Sequence, residues 1–321
     1  MGVNLRDIID QKPIELSQLS GKTIAVDALN SLYQFLASIR QPDGTLLMDS
    51  NGNVTSHLSG LFYRTTRLLK IGVKPVYVFD GQPPELKKHE LDRRRKVKEE
   101  AAREWEKAKS EGRIDDARKY AMRTSKLTKE MREESKRLLG FMGVPFIQAP
   151  GEGEAQCALL VERGDAWACG SQDYDALLFG AKRLVKGLTL SGELELAMID
   201  LDEALSRLGI SREQLVDVAL LIGTDFNEGV KGIGPKKGLA AVKEGGAGGF
   251  DVPNLEELRS IFLKPSVTED YEVKWSGVDT EGLVGFLSGE HGFSEDRIRR
   301  TSKELSGAYA EFQQASLSKW F

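Results

Sequence analysis

Three observations predict an α/β fold with a central, mostly parallel sheet flanked by helices. Strand-like and helix-like stretches alternate from residue 23 to residue 170. The strand-like stretches are apolar at consecutive rather than alternating positions, as in strands covered on both faces. Acidic residues stand just after several apolar runs, where an ordinary core has no use for a charge.

The elements follow in order. KTIAVDALN reads as a strand over 23–27 that ends on Asp27, with helices expected over 29–39 and 56–71. KPVYVFDGQPP repeats the design over 75–79, with Asp80 followed at once by Gly and Pro. A helix over 127–142 leads to the strand VPFIQ at 144–148, and APGEGEAQCALLVERG then sets Glu152 and Glu154 at the mouth of a helix over 153–163. AWACGSQDYDALLFG does the same after a strand over 166–170, with Asp173 and Asp175. RLVKGLTLSGELELAMI reads as a hairpin, residues 202–262 as helical with a glycine loop at 245–249, and Asp225 follows the helix carrying VALLIGTD. Helices resume over 280–312.

Open parallel sheets collect ligands outside the carboxyl ends of their strands, so these acidic residues are expected to converge. Taken singly, each is equally a helix N-cap or a first-turn acid complementing the helix dipole. Together, Asp27, Asp80, Glu152, Glu154, Asp173, Asp175 and Asp225 would repel one another unless divalent cations lay among them. His57, His89 and His291 are scattered and only two cysteines exist, so hard oxygen donors favour Mg²⁺ or Mn²⁺ over zinc. Two sets of carboxylates suggest two ions, the arrangement suited to phosphodiester cleavage.

Composition bounds the rest. With 321 residues, 40% of them hydrophobic, the chain can bury a substantial core. No apolar run reaches the roughly 18 residues of a membrane helix, MGVNLRDIID lacks a secretory signal, and Arg6 stands where a myristoylation site needs Ser or Thr. An intracellular protein without a membrane partner is expected. Cys157 and Cys169 are expected as buried free thiols in a reducing compartment. The net charge of −4 divides unevenly: Leu86 to Arg137 holds 19 Lys plus Arg against 12 Asp plus Glu, a net of +7. The remainder has 26 against 37, or −11. This basic run starts seven residues after Asp80, where a phosphate backbone needs neutralising. Charged and poor in apolar positions, it is expected to be mobile or clamped around a partner, broken near Gly112, with Lys87, Arg94 and Lys98 on one helix face.

Two further motifs stand out. GVKGIGPKKGLAAV, Gly229 to Val242, has the glycine spacing of a helix-hairpin-helix. Its Gly232 and Gly234 would let backbone N–H groups meet a phosphate, with Lys236 and Lys237 alongside. QASLSKWF places Gln314, Leu317, Trp320 and Phe321 on one side of a short turn, suited to a groove in this protein or in a partner.

Through IAVDALNSLYQFL, SHLSGLFYRT, PVYVFDGQPPELK, PGEGEAQCALL, SQDYDALLFG, LLIGTDFNEGVKGIGPKKGL and QASLSKWF, the chain resembles the flap endonucleases, structure-specific five-prime nucleases of DNA replication and repair. The resemblance implies two Mg²⁺ ions, replaceable by Mn²⁺, with Asp27, Asp80, Glu152 and Glu154 in a first ligand group and Asp173, Asp175 and Asp225 in a second. It implies that Lys87 and Arg94 contact the scissile phosphate and that Tyr33 stacks on a base. By its pattern alone, Tyr33 is equally a core tyrosine. The resemblance divides the chain into a nuclease core (1–82 and 129–227), a helical arch for a single-stranded flap (83–128), a hairpin region with K⁺ at Gly232 to Lys237 (228–305), and a sliding-clamp tail (306–321). The implied substrate is branched DNA with a 5′ flap, cut by flap endonuclease and 5′–3′ exonuclease activities. The implied protein is a monomer on its own. A chain that stops at the clamp box, without a basic extension, is expected to come from an archaeal cell and to act in its cytoplasm or nucleoid. Two other readings fit the sequence: a related exonuclease or ribonuclease with the same carboxylates, and a non-catalytic DNA-junction binder.

Overall fold

The structure, a computed structural model, describes residues 2–82, 84–188 and 195–317, with side chains left out at 85, 88–92, 94, 118 and 313–317. In chain order the sheet-forming half contains β1 (Lys12–Ile14), β2 (Thr23–Asp27), α1 (Ala28–Ser38), α2 (Ser56–Lys70) and β3 (Lys74–Phe79). Two charged helices follow, α3 (Lys88–Ser110) and α4 (Ile114–Ala121). The sheet then resumes through α5 (Lys129–Met142), β4 (Phe146–Gln148), α6 (Gly153–Arg163), β5 (Ala168–Gly170), α7 (Asp175–Leu178), β6 (Arg183–Lys186) and β7 (Leu196–Asp200). The helical remainder is α8 (Leu201–Leu208), α9 (Arg212–Ile222), α10 (Pro235–Glu244), α11 (Leu255–Leu263), α12 (Thr280–Leu283) and α13 (Glu295–Leu317).

The strand order is β1-β7-β6-β5-β2-β3-β4. β6, β5, β2, β3 and β4 run parallel, while β7 pairs antiparallel with β6 and with β1. From β2 the chain proceeds outward through β3 to β4, then returns to place β5 on the other side of β2. That reversal opens a crevice at the carboxyl ends of the central strands. Ile24, Val26, Val76 and Val78 are fully buried, which accounts for the consecutive apolar pattern. One face of the sheet packs mainly against α6, α7, α9 and α11, the other against α1, α2, α5 and α13.

The structure differs from expectation in detail. β1 was not anticipated: three residues, KPI, with no buried side chain carry no periodic signal. β4 and β5 start two residues later than the sequence pattern suggests. The amides of Val144 and Ala166 instead close the preceding helices onto Leu139 and Leu160, past Gly143 and Gly164 at φ 71° and 82°. The segment around α3 and α4 does not lack burial. Ala101, Ala108, Ala117 and Ala121 are buried between the helices, a signal that apolar periodicity misses because alanine contributes little to it. Gly112, at φ 70°, makes the break between them. No described helix is long and apolar enough to cross a membrane.

Candidate active site

The crevice gathers the acids that the sequence singled out. Asp27 ends β2 and caps α1, its Oδ1 accepting the Asn30 N–H at 3.0 Å. Asp80 follows β3; its Oδ1 accepts the Gly153 N–H at 2.8 Å, while the Gln148 side-chain amide donates to the Asp80 carbonyl at 2.8 Å. A Cβ on Gly153 would lie 2.4 Å from Asp80 Oδ1, so only glycine allows that approach. Glu152 stands at the N-terminus of α6 without capping it. Glu154, in the first turn of α6, accepts from Ser171 Oγ at 3.1 Å. Asp173 accepts from the Gly2 N–H and from Asn30 Nδ2, both at 3.1 Å. Asp175 accepts the Val3 N–H at 2.8 Å. Asp225, in the loop after α9, is buried. The capping alternative therefore holds for Asp27 and fails for Glu152 and Asp175.

Electrostatics joins these residues into one cluster. Burial first, then Asp80, raises the Asp27 carboxyl well above its ordinary range, with Asp173 adding to the rise. Burial and Glu152 push Asp80 up to about 6. Burial, Asp225 and Asp173 push Asp175 to about 7. Glu154 is raised by burial, then by Asp175, Asp27 and Asp173. The acids expected in two ligand groups are thus not separate: after burial, Asp175 is what raises Glu154 most.

Lys87 is paired directly with this cluster. It ends a single 3-10 turn, Glu85–Lys87, at the foot of α3 rather than lying on that helix's face. Its ammonium pairs with Glu152 and lies 3.7 Å from Asp225, over the Phe226 ring. Burial alone would lower its pKa, but Glu152 and the other carboxylates outweigh burial and raise it.

The donor set fits hard divalent ions. Every candidate ligand is a carboxylate, and burial first, then mutual repulsion, raises Asp27, Glu154 and Asp175. Among the described residues, no three or more His, Cys, Asp or Glu side chains are placed together so that they could hold a metal ion as they stand. Lys87 occupies the position between Glu152 and Asp225.

The other expected residues lie around this centre. Tyr33, on α1, is 37% exposed and carries the Lys98 ammonium 4.6 Å from its ring centroid, so it is not a core tyrosine. Arg94 falls in α3 but its side chain lies outside the described residues. Gly232, at φ 85°, and Gly234, the N-cap of α10, form the hairpin turn; Lys236 and Lys237 are exposed, and Lys237 Nζ donates to the Gly232 carbonyl at 3.3 Å. Gly229 is equally demanding: a Cβ there would meet the Ile222 carbonyl at 2.4 Å. Trp320, Phe321 and the side chains of Gln314 and Leu317 lie outside the described residues. Sequence reasoning missed Asn30, Ser171 and the Gly2–Val3 backbone. The last contacts acids 171 and 172 positions away, a relation that no local pattern encodes.

Comparison with known proteins agrees with this architecture. The XPG N-terminal domain matches residues 1–101 and the XPG I-region matches residues 143–225. The chain is 52% identical over 330 residues to flap endonuclease 1 of Methanothermobacter thermautotrophicus, covering 100% of both. Its structure is similar to that of flap endonuclease-1 from Methanococcus jannaschii, with a TM-score of 0.82 and 42% identity over 97% of this chain and 99% of that one. It is also similar to the catalytic core of Rad2 in complex with DNA substrate, with a TM-score of 0.72 and 26% identity over 92% of this chain and 96% of that one. On the strength of these full-length matches, the chain belongs to the flap endonuclease family.

Proposed function

We propose that this chain hydrolyses phosphodiester bonds at the base of 5′ flaps in branched DNA during replication and repair, with accompanying 5′–3′ exonuclease action. The observation that carries the reading is the convergence of seven carboxylates on one crevice, with Lys87 among them.

Two Mg²⁺ ions, or Mn²⁺ in their place, are the cofactors this donor set suits. Asp27, Asp80, Glu152 and Glu154 would hold chiefly one, and Asp173, Asp175 and Asp225 the other. When bound, such ions activate attacking water and offset charge on the leaving 3′ oxygen. The protein's own groups do the positioning. Lys87, held in place by Glu152 and Asp225, exchanges those partners for the scissile phosphate, where its charge counts most as negative charge builds in the transition state. Arg94 joins it from α3. Tyr33 offers a half-exposed ring for a base that has left the stack. Backbone N–H groups at the start of α10 take a phosphate of the adjoining duplex, with Lys236 and Lys237 nearby, and the turn at Gly232 to Lys237 would hold a K⁺ ion that adds positive charge there. Selection by structure follows, because unstacking is easiest at a junction.

The same reading assigns 83–128 to a flap-accommodating arch and a sliding-clamp contact to Gln314, Leu317, Trp320 and Phe321; of the tail expected over 306–321, Ala308 and Tyr309 are instead buried where α13 packs on the core. It makes the protein a monomer acting in the cytoplasm or nucleoid of an archaeal cell. The test is turnover of a labelled double-flap DNA with Mg²⁺, against Ca²⁺ and chelator controls, beside a single-stranded RNA of equal length. Mg²⁺-dependent release of the flap is expected; equal or faster cleavage of the RNA would overturn the assignment.

A further inference from the structure

A cavity of about 490 Å³ lies behind the carboxylate cluster and shares Asp80 with it. Phe79 and Asp80 form its inner wall, Gln82 stands at the near foot of the segment containing α3 and α4, and Lys129 stands at the far foot. Lys129, Arg132 and Lys136 line it from α5 at i, i+3 and i+7, a single helix face. Lys136 is already engaged, by Glu133 at 2.8 Å and by the Phe79 ring. Arg132 is different. It is half-buried, it lines the cavity, and its guanidinium makes no hydrogen bond or ion pair among the described residues. An arginine on a solvated face needs no cavity. One held half-buried beside a carboxylate cluster, close enough to Asp80 to hold its carboxyl down yet in no direct pair, has five N–H donors arranged for an oxyanion.

Position indicates which oxyanion. The hairpin turn leads into α10, which packs on α9 against one face of the sheet, whereas α5 and the cavity belong to the other face. The carboxylates lie between the two, at the strand ends. A strand held as duplex at the hairpin and cut at the carboxylates must continue over the sheet edge toward Arg132. We propose that this cavity is a phosphate subsite: Arg132, supported by Lys129 and Lys136, binds the phosphate on the 5′ side of the scissile one and so positions the strand that is cut away. The proposal rests on the flap-cleaving reading above and adds to it a residue and a contact. A bidentate guanidinium–phosphate pair would fix direction as well as charge. The cavity is of a size that takes a nucleotide-sized group.

The phosphate could be an internal linkage of the flap or a terminal 5′ phosphate, and separate substrates distinguish these. In single-turnover cleavage with Mg²⁺, Arg132→Gln is expected to lose about tenfold on a flap substrate and Arg132→Lys only about twofold. A neutral methylphosphonate at the linkage just 5′ of the scissile phosphate should cost the wild type a similar factor and cost Arg132→Gln nothing further. If the terminal phosphate is the ligand, the same non-additivity appears instead between one-nucleotide flaps bearing a 5′ phosphate and a 5′ hydroxyl. Losses that multiply independently in both pairs, or an unchanged Arg132→Gln, would overturn the subsite while leaving flap cleavage intact. A wild type that cleaves no flap would overturn the parent reading and this one with it.

Discussion

The carboxyl edge of the sheet and the α3–α4 segment both concentrate charge, but they hold it differently. At the edge, acidic side chains are buried or half-buried and tied to backbone N–H groups from distant parts of the chain: Asp80 to Gly153, Asp173 to Gly2, Asp175 to Val3. Those bonds fix oxygens in space before any ligand arrives, and burial makes the fixed charges costly unless they are compensated. In α3 and α4 most charge faces solvent, and four buried alanines hold the helices together. Their docking onto the loop after α1 is slight. Trp105 Nε1 lies 3.5 Å from the Asp43 carbonyl, and Lys109 lies 3.4 Å from the Asp43 carboxylate. The edge is built for geometry and the helical segment for attraction with freedom to adjust. Substitutions at the edge should therefore change catalytic rate by orders of magnitude, and those in the segment, Arg94 apart, by small factors.

The largest effect is expected for Asp80→Ala. It removes a carboxylate shared by the cluster and the cavity, and flap cleavage should fall on the order of 10³-fold or more. DNA affinity, measured in Ca²⁺ by fluorescence anisotropy, should change little; a parallel loss of binding would mean that Asp80 serves attraction rather than chemistry. Next come Lys87→Ala and Gly153→Ala, each about 10²-fold. For Lys87 the loss should appear in the single-turnover rate and not in binding, since its ammonium is directed at the cluster. For Gly153 the added methyl would sit 2.4 Å from Asp80 Oδ1 and displace that carboxylate without deleting it. Normal activity in Gly153→Ala would show that the edge is less rigid than its hydrogen bonds imply.

Proton linkage separates the two regions by another measurement. Asp80 and Asp175 titrate near 6 and 7 in the folded protein, above the ordinary aspartate value of about 4. Between those limits the folded state binds more protons than the unfolded chain, so stability contributed by the protonated carboxyls is present below about pH 4 and lost as pH rises toward 7. In chelator, Tm should decline across this window. In Mg²⁺ the decline should be largely abolished, because the ion takes the place of the protons. A Tm profile identical in both solutions would remove the edge as a cation site.

Why so much of the edge could be read from sequence follows from where its residues stand. Asp27 and Asp80 each follow a run of consecutive apolar residues, and Glu152 and Asp173 each follow a short strand into a helix, so local pattern and the rule for parallel sheets located all of them. The hairpin turn was legible because Gly232 needs positive φ and Gly234 precedes Pro235 at a helix start. What stayed hidden depends on tertiary contact. Gly2 and Val3 reach the acids across the whole nuclease core, Asn30 bonds to Asp173 from another strand's helix, and Lys87 turns inward only because a 3-10 turn precedes α3. The α3–α4 packing was hidden for a different reason. Alanine at a close helix contact is, in composition, indistinguishable from alanine on an exposed charged helix.

The smallest effect should come from Trp105→Ala. The indole is half-buried between α3 and the loop at Asp43, and Gly44 is packed against it: a Cβ there would lie 3.3 Å from Trp105 Nε1 and 2.7 Å from Ala121 Cβ. Removing the ring loosens the base of the helical pair from the core and leaves the carboxylates, Lys87 and the hairpin as they are. Flap cleavage should slow by about two- to fivefold at saturating DNA, with Tm shifting by only a few degrees, since a half-buried contact at the periphery contributes about 1–2 kcal/mol. Hydrogen exchange should rise in α3 and α4 and stay unchanged in β2 and β3. If Trp105→Ala instead matched Lys87→Ala in rate, the helical segment would be as rigidly coupled to the chemistry as the strand ends, and the contrast between attraction and geometry would fail.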